Sequence, residues 1–226
     1  MIKENIQKIL EELPEGVELV AAAKDRSTGE VEEAIEAGVR IIGENYLKEA
    51  QGKFTVLGNR AKWHFIGHLQ KNKVKRAVKI FDMIETLDSL VLAEILDKEC
   101  KKINKVMPVL IEVNSAGEAQ KQGVLFEEVE VLLGEILQFD NLKPRGLMTM
   151  GPWLNNPQEL RPFFKKTKDL FDTIKNNYGE KLEWTYLSMG MSTSYRIAIE
   201  EGANLVRVGT AIFGERKKDI ILENEN

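Results

Sequence analysis

Cysteine and histidine are nearly missing from this 226-residue chain: Cys100 is its one cysteine, and His64 and His68 are its two histidines. A single thiol excludes an intrachain disulfide framework and a thiolate-bound metal cluster. Cys100 falls in an otherwise helical, partly apolar segment and is expected as a buried, inert thiol. The histidine pair has the four-residue spacing of a zinc pair. It lies on a strand and just beyond it, without a third partner, whereas zinc usually takes three or four protein ligands. No metal is expected, and His64 is read as a packed, hydrogen-bonded residue. Long apolar runs are absent as well, so no segment suits a bilayer span. The acidic, amphipathic opening MIKENIQKILEEL lacks the apolar block of a secretion signal. Net charge is −4, with acids and bases interspersed, which argues against a nucleic-acid or membrane-surface binder. The one basic run, Lys71–Lys79 (KNKVKRAVK), reads as a solvated helix face. A cytoplasmic location is the expectation.

Against these absences stands a regular alternation of short β-branched runs and longer segments of helical period. The opening segment places Ile2, Ile6, Ile9, Leu10 and Leu13 on one face, predicting a helix before the first strand. Strands are predicted at Leu19–Ala23, Arg40–Gly43, His64–Gly67, Met83–Thr86, Val109–Val113, Gly146–Thr149, Thr185–Ser188 and Leu205–Val208. Between them Val31, Ala34, Ile35 and Gly38 step by three and four. Leu92, Ile95, Leu96 and Ile103 follow, then Val129, Leu132, Leu133 and Ile136, and Phe164, Thr167, Phe171 and Ile174. Asp88 or Ser89 is an expected N-cap, and Pro157 an expected first-turn residue. Strict alternation implies parallel strands with crossover helices. Eight such units fit a single α/β domain over residues 1–226, a (β/α)8 TIM barrel with an extra N-terminal helix. An open α/β sheet is the alternative.

Two strand-to-helix junctions carry most of the functional information: Ser188–Ser194 (SMGMSTS) and Arg207–Gly214 (RVGTAIFG). Each follows an apolar run, combines glycine with Ser or Thr, and opens into a helical pattern. Backbone N–H groups and hydroxyls so arranged hold phosphate. In a barrel these junctions are the loops after strands seven and eight, a common phosphate site, and closure sets strand eight beside strand one. Strand one ends VAAAK, at Lys24. Small residues before that lysine leave room for a ligand, and partial desolvation near Arg207 favours its free amine, able to condense with a carbonyl. An aldehyde joined to a phosphate satisfies both features. Pyridoxal 5′-phosphate (PLP) and a sugar phosphate handled by a class I aldolase both qualify.

Lys24 in VAAAK, Gly43–Tyr46 (GENY), Trp63–Lys73 (WHFIGHLQKNK), Gly146–Met150 (GLMTM), Ser188–Ser192 (SMGMS) and Val206–Gly214 (VRVGTAIFG) together resemble the YggS/PROSC pyridoxal phosphate-binding proteins, also called PLP homeostasis proteins. The resemblance runs from about residue 17 to the end of VRVGTAIFG. It implies a barrel similar to the N-terminal domain of alanine racemase, with PLP held as a Schiff base on Lys24. By motif position, Ser192, Gly209 and Thr210 match phosphate-binding residues. Arg207 matches the arginine facing the pyridine nitrogen, and Asn45 matches the GENY asparagine near the ring. Ala23 and Asp25 flank the lysine where Ser and Thr are common in the family. Ser194 stands where an Asp is usual, and a serine there can also cap a helix.

The resemblance implies intracellular PLP homeostasis or supply, with PLP-dependent apoenzymes as acceptors; no large exposed apolar stripe demands a dimer, so a monomer or weak dimer is the expectation. An arginine opposite the ring nitrogen weakens the cofactor as an electron sink, and no general acid–base pair is evident in the sequence. Substantial turnover is therefore not expected, and no catalytic residue is assigned. The alternatives are a low-activity PLP-dependent amino-acid racemase and a Schiff-base sugar-phosphate aldolase. Tyr46 and Tyr195 both follow strand-end motifs and are read as packing tyrosines with hydroxyls at the rim. Met148, Met150, Met189 and Met191 are read as rim packing around the ring. Glu44 is either an acid behind the site or a charge at a helix N-terminus.

Overall fold

Side chains of a strand alternate between two faces, and here the two faces serve two different cores. The computed structural model describes residues 1–118 and 120–215; residues 216–226 of the domain assigned above lie outside the described residues. The strands are β1 (Glu18–Ala22), β2 (Ile41–Glu44), β3 (Lys62–Phe65), β4 (Met83–Leu87), β5 (Met107–Glu112), β6 (Leu142–Met148), β7 (Tyr186–Ser188) and β8 (Leu205–Val208). Each pairs in parallel with the next, and β8 returns to β1, closing an eight-stranded barrel. The closed barrel predicted from the alternation is therefore present, and the open sheet is not.

Helix α1 (Ile2–Glu12) precedes β1. Then α2 (Thr28–Glu36), α3 (Leu47–Leu57), α4 (Val74–Ala77), α5 (Leu90–Lys101), α6 (Val129–Ile136), α7 (Arg161–Tyr178) and α8 (Tyr195–Glu200) follow β1 to β7 in turn, with α9 (Thr210–Phe213) after β8. Inward-facing Val20, Ile41, Met83, Leu110, Met148 and Leu205, with Ile66, fill the barrel. The alternate residues, among them Leu19, Ile42, Trp63, Ile84, Ile111, Leu147 and Val206, pack outward under the helices. Full burial of one such aliphatic side chain contributes about 1.5–3 kcal/mol, so the outer layer dominates the stability.

The helical periodicities translate directly into buried faces. In α6 the buried residues are Val129, Leu132, Leu133 and Ile136, and in α7 Phe164, Thr167, Phe171 and Ile174. The N-terminal helix buries Ile6 and Ile9, but Leu10 is exposed, off the predicted face. Gly38 and Ile103 lie past the ends of their helices. Ser89 occupies the N-cap of α5, yet its hydroxyl donates to Asp88 at 3.2 Å and not to the helix. Pro157 opens a short 3-10 turn leading into α7. Strand β6 begins at Leu142, four residues before the predicted start. Lys143, Pro144 and Arg145 read as loop, but the two cations pair with Glu183 on the outside. Gly146 ends this irregular stretch, where an added Cβ would lie 1.7 Å from the Tyr186 carbonyl oxygen. Cys100 is buried in α5, and burial pushes its thiol up to about 11. In the basic run, Lys71, Lys75, Arg76 and Lys79 are exposed while Val74, Ala77 and Val78 are buried, a solvated face as expected.

Candidate cofactor-binding site

Lys24 lies two residues past the end of β1, in a turn and not at the strand tip itself. Its neighbour Asp25 has φ +59°, a left-handed conformation that aspartate tolerates better than most residues. The Asp25 N–H donates to Glu49 at 2.9 Å, and Ser27 and Glu30 form a capping box that starts α2 immediately afterwards. Behind the turn, Lys53 of α3 donates to the Ala23 carbonyl at 2.7 Å and to Glu44 at 2.7 Å. Glu44 is thus a buried ion-pair partner supporting the lysine turn, not a charge at a helix N-terminus. Burial pushes its carboxyl up to about 7 against the pull of Lys53, and its Oε2 has no hydrogen-bond partner among the described residues. These contacts fix the backbone around Lys24, whose Nζ lies 5.1 Å from the centre of the Tyr46 ring.

The two glycine-containing junctions fold into one cup. Gly190 has φ +87°, and a Cβ there would lie 2.6 Å from Ala198, so this turn requires glycine. The Met191 N–H donates to the Ser194 hydroxyl at 3.1 Å. Ser194, at the N-cap of α8, therefore shapes the loop without making a side-chain cap to the helix. The Ser192 hydroxyl accepts from the N–H groups of Gly209, at 3.1 Å, and Ala211, at 3.2 Å. That bond joins the loop after β7 to the loop after β8. Pairing of Val20 with Arg207 then sets both loops beside the Lys24 turn.

Arg207 is 2% exposed and points into the barrel mouth. Its Nη1 donates to the Ser188 hydroxyl at 2.5 Å, and its Nη2 to the Thr149 carbonyl at 2.8 Å. Ser188 in turn donates to Glu85 at 2.6 Å, and the other oxygen of Glu85 meets His64 Nδ1 at 2.7 Å. Burial alone raises Glu85, but the hydrogen bond and charge of His64, with Arg207 and Ser188, hold it below the usual carboxylate value. Burial lowers Arg207, opposed by Glu85 and Glu112. His64 is the packed, hydrogen-bonded residue expected. His68 is half exposed, 3.8 Å from Asp88. Among the described residues no group of three or more His, Cys, Asp or Glu is placed to hold a metal ion.

Lys24, Asn45, Ser192, Arg207, Gly209 and Thr210 all line one cavity of about 370 Å³. A primary amine, a hydroxyl, backbone N–H groups at a helix start and a buried guanidinium converge there. That donor set fits an aldehyde-bearing aromatic phosphate. A neighbouring cavity of about 440 Å³ shares Met150, Trp153 and Met191 with it. The methionine reading is therefore half correct: Met150 and Met191 sit at the mouth, whereas Met148 lies inside the barrel and Met189 in the outer layer. Tyr46 is exposed at the rim, but the Tyr195 hydroxyl leaves the mouth and donates to Glu12 of α1 at 2.8 Å. Sequence reasoning missed Arg26, Glu85, Ser188 and Glu112. Lone carboxylates within the apolar runs MIETL and VLIEV were the available signal for two of them. Arg26 lines the cavity and donates to the carbonyl groups of Phe213 and Gly214, tying the β1 turn to the chain after α9.

The profile of the family described as "Alanine racemase, N-terminal domain" matches residues 1–217. A pyridoxal phosphate homeostasis protein of Aquifex aeolicus (strain VF5) is 41% identical over 220 residues, 96% of each chain. This chain belongs to the pyridoxal phosphate homeostasis protein family. PipY of Synechococcus elongatus PCC7942 has a solved structure with PLP bound. It superposes with a TM-score of 0.87 at 31% identity, covering 95% of this chain and all of that one. Alanine racemase of Clostridium difficile 630 superposes with a TM-score of 0.79 at 15% identity, covering 96% of this chain and 60% of that one. The homeostasis-family barrel thus shares its fold with the racemase.

Proposed function

We propose that this chain holds PLP as a Schiff base on Lys24 and serves its intracellular supply in the cytoplasm, without substantial turnover of its own. The observation that carries this reading is the convergence of Lys24, Ser192, Arg207, Gly209 and Thr210 on one cavity. PLP bound to the PipY relative supports it. When bound, the cofactor supplies an aldehyde that condenses reversibly with primary amines and a ring that can accept electrons. The chain's own residues then divide the work. Lys24 would present the amine; Ser192, bonded to the Gly209 N–H, would hold the phosphate together with Gly209 and Thr210 at the start of α9, and Asn45 would lie beside the ring. Arg207, tethered by Ser188 and Thr149, would offer its remaining N–H groups to the ring nitrogen and so discourage its protonation.

The composition of the wall favours a carrier over a racemase. Among the described residues no histidine, cysteine or carboxylate lines the Lys24 cavity, and Tyr46, with its ring 5.1 Å from the Lys24 amine, is exposed at the rim. Tyr195, the tyrosine that follows the phosphate loop, is engaged by Glu12 outside the barrel. PLP-dependent apoenzymes are the acceptors this reading requires. The test is the visible absorbance of PLP-loaded protein, with borohydride trapping and peptide mapping. Lys24→Ala is expected to lose the imine band and the trapped adduct. Adduct on another lysine overturns the site, and robust racemase or transaminase activity that disappears in Lys24→Ala overturns the carrier role.

A further inference from the structure

We propose that the cavity beside the Lys24 cleft is a subsite for a primary alkylammonium group of the lysine side-chain type, with the Glu112 carboxylate as its anionic partner. The inference rests on the carrier reading above and names the kind of acceptor. Glu112 is 7% exposed, lines this cavity, and makes no side-chain hydrogen bond or ion pair with the described residues. Several polar groups around it have partners of their own among the described residues. The Thr149 hydroxyl donates to the Val113 carbonyl at 2.9 Å and lies 2.9 Å from the Ser115 hydroxyl. Asn114 donates to the Glu118 carbonyl at 2.8 Å, and Lys121 pairs with Glu118 at 2.7 Å. A carboxylate so far withdrawn from water and facing an open cavity is costly to charge, and a cationic ligand offsets that cost.

The same inventory excludes an α-amino acid. Its carboxylate would need a second cation; among the described residues lining this cavity Lys121 pairs with Glu118, and in the reading above Arg207 serves the ring nitrogen. A lysine-type amine carries one charge on an alkyl stem, and Met150, Met191 and the exposed indole of Trp153 form a suitable wall for that stem. These three residues also border the Lys24 cavity, so the two cavities adjoin and an amine held at Glu112 would lie next to the Lys24 site. Burial holds the Glu112 carboxyl up at about 7, Asp88 adding and Arg207 opposing, which makes it a competent proton acceptor. The ammonium passes one proton to Glu112. The freed nitrogen lone pair then attacks, a new carbon–nitrogen double bond replaces the one to Lys24, and the two remaining N–H protons end on the Lys24 amine. No oxidant or reductant is needed.

The full chain carrying ¹³C-methyl methionine is titrated, free of PLP, with n-butylammonium, Nα-acetyl-lysine amide, L-alanine and n-butanol. Saturable shifts of the Met150 and Met191 methyls are expected for the two ammonium ligands alone, and they should vanish in Glu112→Gln. Binding of n-butylammonium without acetyl-lysine amide supports the subsite with a free small amine as its source; binding of both supports a protein lysine. No shift, a shift that survives in Glu112→Gln, or equal saturation by L-alanine overturns the proposal. In PLP-loaded protein, loss of the imine band to acetyl-lysine amide should saturate with amine. In Glu112→Gln, measured against its own amine-free baseline, it should be at least about tenfold slower. Absence of the band in the wild type refutes the carrier reading, whereas a normal band indifferent to amine and to Glu112 refutes the subsite only.

Discussion

Glu85 and Glu112 are carboxylates of neighbouring strands, both facing the barrel interior and both buried, yet they are treated in opposite ways. Glu85 is held by His64, Ser188 and Arg207 and stays below the usual carboxylate value. Glu112 has no such partners among the described residues, and burial pushes it up to about 7. A buried charge with its hydrogen bonds complete is part of the scaffold; one without them is a group waiting for a ligand or a proton. One half of the barrel mouth is therefore preorganised around Arg207, and the other half remains chemically open.

The largest expected effect comes from breaking the satisfied half. Glu85→Ala leaves Arg207 and His64 without their shared anion and should cost about 3–5 kcal/mol in urea unfolding at neutral pH. A loss below about 1 kcal/mol would mean that Arg207 is held by Ser188 and Thr149 alone. The open half should respond in the other direction. Because the folded-state pKa of Glu112 lies above its ordinary value of 4.5, its stabilising contribution is full below pH 4.5 and is lost as pH rises through about 7. Glu112→Gln, which imitates the protonated acid, should thus be more stable than the wild type at pH 8, by about 3 kcal/mol at most. The two proteins should converge as pH falls toward 4.5. Glu44 is raised as well, but it is common to both proteins and cancels in the difference. Urea titrations at several pH values read this directly, and a gap that widens toward acid would reverse the contrast. The smallest effect belongs to a residue outside both halves. Tyr195→Phe removes one hydrogen bond to Glu12 and should cost about 1 kcal/mol. PLP retention should be unchanged, and a drop in retention would return Tyr195 to the mouth.

Much of the barrel was legible because its elements obey short-range rules. The 3.6 period of Phe164, Thr167, Phe171 and Ile174 names the buried face of α7 residue by residue. The strand β8, Leu205–Val208, has the predicted ends because glycine and polar residues bracket an apolar run. The strand β6 was cut short because Lys143, Pro144 and Arg145 look like loop. Only the outward ion pairs to Glu183 show how they fit a strand. Lys24 and the two glycine turns were legible for a similar reason: each is a local departure, a lone cation or a cluster of small residues, at the end of an apolar run.

The amino-acid sequence by itself determined the alternation of strands and helices, the closed parallel barrel, and the residues that ring its mouth, since periodicity and turn chemistry act over a few residues. Tertiary structure alone decided which of those residues have partners. Glu44 found Lys53, Glu85 found His64 and Ser188, Tyr195 turned to Glu12, and Glu112 found none among the described residues. Pairing of buried polar groups depends on contacts between strands and helices far apart in the chain, and burial sets the cost of each group left alone.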